Sequence, residues 1–136
     1  VAMVYIYNRT AVVLEKRVSF VKTSTGDFAL KIRLRLKARR TVENIEVTDR
    51  VPQAMKIYEK GGMPHRMDPA TRRIFWGVDR LNAGEERIFS YIIYSKIRVV
   101  GGYELPAASA KFTKNDKAQH VFSNKTYFIS DVHPRI

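Results

Sequence analysis

The chain has 136 residues, 45% hydrophobic and 28% charged, which fits one folded domain with its own core and argues against disorder. Its formal net charge of +12 predicts attraction to something acidic: nucleic acid, an anionic polymer, a membrane surface or an acidic protein. There is no cysteine, which excludes disulfides, thiolate catalysis and cysteine-ligated zinc.

No window approaches the length of a transmembrane helix, and none resembles the apolar core of a signal peptide, so direct membrane insertion of this segment is not expected. The chain begins at Val1 and reads as a segment of a larger protein. Helix signals are nearly absent; short β-rich runs follow one another between turn residues. "MVYIYN" and "AVVLEKRVSFVK" come first, and "TSTGD" turns into a basic run. "VENIEVTD" follows, then "VPQAMKIYEK", Gly61-Gly62 and a loop with Pro64 and Asp68-Pro69. "RRIFWGV" leads through the turn "LNAGEE" to "RIFSYIIYSKIRVV". After Gly101-Gly102 come "YELPAASAKFT", the turn "KNDK" and "HVFSNKTYFIS". Seven to nine strands at this spacing, without helices, predict a single all-β domain over residues 1–136, an antiparallel sandwich or barrel, with the sandwich favoured because most strands show one apolar and one polar face. From Arg87 to Lys96 both parities are apolar, so periodicity does not fix which face is inward.

One stretch, "FALKIRLRLKARR" (Phe28 to Arg40), alternates almost without error. Phe28, Leu30, Ile32, Leu34 and Leu36 share one parity; Lys31, Arg33, Arg35, Lys37 and Arg39 share the other, with Arg40 beside them. A strand so patterned buries one face and shows a row of cations on the other. Alternate residues on such a face lie about 6.5–7 Å apart, a spacing that permits tracking along a polyanion. Stacking aromatics are the second ingredient of single-stranded nucleic-acid sites. Tyr5, Tyr7, Tyr58, Tyr91, Tyr94, Tyr103 and Tyr127 are available, yet none interleaves with the row. Purely structural roles compete with binding. The cations could pair with acids such as Glu43, Glu46, Glu85 or Glu86, join ion networks of thermal adaptation, or repel copies at a sheet edge.

The middle of the chain also carries a family signature. "VENIEVTDRVP" (Val42 to Pro52) is a strand ending in an Asp-x-x-Pro corner. "DPATRRIFWGVDRLNAGEERIFSYIIY" (Asp68 to Tyr94) and "LPAASAKFT" (Leu105 to Thr113) follow. Asn44, Val47, Thr48, Asp49, Pro52, Trp76, Leu81, Gly84, Glu85 and Ala108 or Ala110 carry the pattern. This resembles the Ig-like conserved repeat domain of bacterial and archaeal surface proteins. The resemblance implies an Ig-like sandwich, a non-enzymatic structural or interaction module, and placement at the cell surface or outside it within a larger anchored protein, expected to be archaeal. Members are often acidic or neutral, so the basic charge here implies a specific partner, an acidic protein or an anionic envelope polymer. In the signature Asp49 is expected to bond the backbone of the corner before Pro52, Trp76 to plug the core, and Gly84 to turn near positive φ.

Catalytic chemistry finds few candidates. His65, His120 and His133 lie at no metal-ligand spacing, and no cofactor is implied. Asp68 and Asp79 form a nominal carboxylate pair, but an Asp-Pro turn accounts for the first and the turn after the Trp strand for the second. Asn8 and Asn124 head Asn-x-Thr sequons and are candidate glycosylation acceptors if the parent is exported. The expected function is therefore a surface module whose basic row docks on acidic partners. The rival is an intracellular nucleic-acid-binding β-domain using the same strand.

Overall fold

The computed structural model describes residues 10–22, 28–58, 66–95 and 101–130; the expectations for "MVYIYN", Asn8, His65 and His133 lie outside them. Among the described residues there are eleven strands and no helix. They are β1 (Val12–Lys22), β2 (Phe28–Ala38), β3 (Val42–Arg50), β4 (Lys56–Ile57), β5 (Arg66–Asp68), β6 (Arg73–Leu81), β7 (Glu86–Ser95), β8 (Gly101–Leu105), β9 (Ser109–Lys114), β10 (Lys117–Phe122) and β11 (Thr126–Ser130). The excess over the seven to nine expected comes partly from β4 and β5, two and three residues long, in a stretch dominated by turn residues.

The strands pair antiparallel throughout, in sheets ordered β1-β2-β7-β4 and β10-β9-β3-β6-β5, with β11-β8 as a separate ribbon. The two larger sheets pack face to face as a sandwich. Their orders β1-β2-β7 and β10-β9-β3-β6 correspond to strands A-B-E and G-F-C-C′ of an immunoglobulin-type arrangement. Chain neighbours β2 and β3 therefore lie in different sheets.

Alternation in the sequence becomes alternation in space. Leu30, Ile32, Leu34 and Leu36 of β2 are 0% exposed, and Val42, Ile45, Val47, Ile74 and Phe112 of the opposite sheet join them in one core. Full burial of each such side chain contributes about 1.5–3 kcal/mol. The ambiguous β7 turns Phe89, Tyr91 and Ile93 toward this core and Ile88 outward. Trp76 is buried as expected, its ring 5.4 Å from Phe89 and 5.7 Å from Tyr91 across the sandwich. It lies inside β6, where Gly77 to Leu81 continue the ladder against β3.

Turn chemistry matches the residues that carry it. Gly84 has φ +90°, and its amide donates to Ala38 O, clipping the β6–β7 turn to the end of β2. Asn115 and Asp116, both at positive φ, close the β9–β10 hairpin predicted from "KNDK". Asn44, at φ 51°, sits where β3 shifts register against β9, a β-bulge. Asp68 caps its turn by accepting from Ala70 N and Thr71 Oγ1. Asp79, in contrast, lies within β6 and not in a turn, since pairing with β3 runs on to Leu81.

Candidate functional site

The outer face of the β1-β2-β7 sheet holds the row of cations. Lys31, Arg33, Arg35 and Lys37 are all exposed, as their parity requires. Arg39 and Arg40 follow the strand in a bend where both amides reach Ala11 O. Of these two, Arg39 shares a shallow hollow with Val13, Glu15, Arg35 and Lys37. The row thus runs from Lys31 to Arg39, with Arg40 beyond it.

The register decides which cations are matched. Arg35 lies between Glu15 of β1 and Ile88 of β7, and it reaches Glu86 at 2.5 Å and Glu15 at 3.7 Å. The hydrogen bond from Arg35, together with the charges of Arg35 and Lys37, holds the Glu86 carboxyl below its ordinary value. Lys37 approaches the same Glu86 at 3.9 Å. The next position differs: Arg33 lies opposite Arg17 on one side and Ser90 on the other. Two cations directly across an antiparallel pair repel. Among the described residues no carboxylate forms an ion pair with Arg33 or Lys31. Arg17, Arg33 and Arg35 surround a hollow of about 240 Å³, walled also by Glu15 and the half-exposed Ile88.

The sheet order corrects two expectations for the row. Glu43 and Glu46 do not neutralise it: β3 crosses to the other sheet, where these acids meet Arg80 and Arg66. Nor does β2 lie at an edge, because β1 and β7 flank it. The rim glutamates compensate only one end of the row. Tyr91 is buried at 1% exposure and therefore withdrawn from any stacking surface. Among the described residues no group of three potential metal ligands occurs. His120 is exposed on β10 with its ring 4.5 Å from Phe122.

A second constellation lies inside the sandwich, and its key member was not among the residues that the sequence pattern singled out. Lys16 on β1 is 1% exposed; its Nζ donates to Asp49 Oδ1 at 2.7 Å and to Pro106 O at 2.8 Å. Asp49 Oδ1 also accepts the Arg50 amide at 2.9 Å, and Oδ2 accepts the Tyr91 hydroxyl at 2.5 Å. Burial, the Asp49 charge and this hydrogen bond push the Tyr91 phenol well above its ordinary value. Asp49 thus bonds one amide ahead of the corner, as expected, but its main role is inward. The corner itself is held by Arg72, at φ 58°, whose guanidinium donates to the carbonyls of Val51, Pro52 and Met55. A signal for Lys16 existed: it occupies the apolar parity of Val12, Leu14 and Val18.

Asn124 closes this region from outside. Its Oδ1 accepts Lys16 N and its Nδ2 donates to Lys16 O, both at 2.9 Å, pairing with the free edge of β1 as a strand would. The Nδ2 atom that a glycan requires is therefore engaged.

Comparison of the chain with models of known protein families and with curated proteins finds no match in either.

Proposed function

We propose that this domain is a non-enzymatic, Ig-like interaction module of a bacterial or archaeal surface or secreted protein, and that its basic sheet face docks on an acidic protein neighbour. The observation that carries this reading is the cation surplus on the outer face: Arg17 lies opposite Arg33 in the ladder, Glu15 is shared by Arg17 and Arg35, and among the described residues no carboxylate pairs with Arg33 or Lys31. An acidic partner would supply the carboxylates that this surplus lacks. The sandwich architecture and the sequence signature support the module. The mixture of cations with exposed Ile88 and with Ile92 on the same face suits a protein surface better than a bare polyanion.

Binding is tested with an acidic protein, single- and double-stranded oligonucleotides and an anionic glycan across a salt series, using wild type and the Arg17→Ser/Arg33→Ser variant. Selective binding of the acidic protein, weakened in the variant and by salt, is expected. Tight, salt-steep binding of nucleic acid, lost in the variant, would replace this reading with the nucleic-acid one. Preference for the glycan would move the partner to an envelope polymer.

A further inference from the structure

The buried Lys16, Asp49 and Tyr91 are more than an ion pair with a supporting hydroxyl. We propose that Lys16 and Asp49 condense into an intramolecular isopeptide bond, Nζ to Cγ, which ties the two sheets of the sandwich covalently. This inference is independent of the docking face.

The geometry gives each carboxylate oxygen a separate task. Oδ1 accepts both Lys16 Nζ and the Arg50 amide, and once the ammonium has lost its proton the Arg50 N–H is the fixed donor where negative charge gathers as the amine adds to Cγ. Oδ2 accepts the Tyr91 hydroxyl, a donor aimed at the oxygen that must leave. Pro106 O accepts from Nζ at 2.8 Å and fixes the amine beside the carboxylate. Holding the two reactants in contact replaces a bimolecular encounter with an intramolecular one. Side-chain exposures of 1% and 0% remove the water that would otherwise solvate both charges.

The step balances without an added reagent. One proton passes from the Lys16 ammonium to the Asp49 carboxylate and comes to rest on Oδ2, giving a neutral amine and a carboxylic acid. The amine lone pair then forms the Nζ–Cγ bond. A second proton moves from nitrogen to Oδ2, with Tyr91 passing one proton on as it accepts another. The Cγ–Oδ2 bond breaks, water departs, and Oδ1 remains as the amide carbonyl on the Arg50 N–H.

The test is the intact mass of the purified, folded chain, followed by peptide mapping. Wild type is expected one water lighter than its sequence, with a branched peptide joining the segments of Lys16 and Asp49. Lys16→Met and Asp49→Ala are expected at full mass. Tyr91→Phe keeps the ring and is expected to condense about a hundredfold more slowly. Full mass in folded wild type after prolonged incubation at neutral pH would overturn the proposal and leave a salt bridge. Loss of one ammonia instead of one water would place the link on an amide such as Asn124 and overturn the assignment to Asp49. Tyr91→Phe condensing at the wild-type rate would overturn the proton relay.

Discussion

Lys16 and Arg17 are chain neighbours on one strand, and they live in opposite electrostatic worlds. Lys16 points into the sandwich and meets a carboxylate, a carbonyl and, through Asp49, a tyrosine hydroxyl. Arg17 points outward with its side chain 77% exposed, reaches Glu15 at 3.2 Å, and stands opposite Arg33. The core demands that each charge be matched, because an unpaired ion there lacks both water and a partner. The surface imposes no such demand, since water and salt absorb the surplus. An identical charge one residue apart is thus structural on one face and solvated on the other.

The largest effect is expected from the inner lysine. Lys16→Met strands the Asp49 carboxylate in the core and is expected to cost at least about 3–5 kcal/mol, more if wild type carries the cross-link, measured by urea unfolding. Arg17→Ser, one residue away, is expected to leave the unfolding midpoint unchanged or to raise it. Equal losses in both would erase the distinction. Tyr91→Phe removes one hydrogen bond to the same carboxylate while keeping the packed ring, with an expected cost of about 1.5–3 kcal/mol. A loss as large as that of Lys16→Met, in a Tyr91→Phe chain with the same intact mass as wild type, would mean that the hydroxyl holds Asp49 as firmly as Lys16 does.

Acid acts through surface carboxylates of both sheets, and more weakly. The folded-state value of Glu86 is depressed from 4.5 by Arg35, so its contribution is fully present above that value and is lost as pH falls through the lower folded value. Asp68, lowered by the Thr71 hydroxyl and the Ala70 amide, acts with the same sign. Melting temperature is therefore expected to fall on acidification below about pH 4.5, with a smaller fall in Glu86→Gln. An unchanged slope in that variant would mean that Glu86 contributes nothing to the acid response.

Much of the fold was legible because β2 alternates so regularly that its buried and exposed parities could be assigned from sequence, as were the Gly84 turn, the "KNDK" hairpin and the burial of Trp76. The partners of the row were not. Sequence adjacency suggested β3 as its neighbour, whereas sheet crossing gave that place to β1 and β7, and with them Glu15 and Arg17. The inward cluster was harder still. A lysine within a basic chain looks like surface, and only its parity set Lys16 apart; its partner Asp49 is thirty-three residues away and in the other sheet. The turn motif around Asp49 accounts for only one of its three bonds.

If the outer cations are a surplus held at some cost to the isolated domain, added salt should relieve that cost. Thermal unfolding across a sodium chloride series tests this directly, in wild type and Arg17→Ser. Screening of the Arg17–Arg33 repulsion predicts that the wild-type midpoint rises with salt and that the variant responds less. A wild-type midpoint that falls with salt would show that the row is net stabilised by its ion pairs, and would contradict a surface kept for an acidic partner.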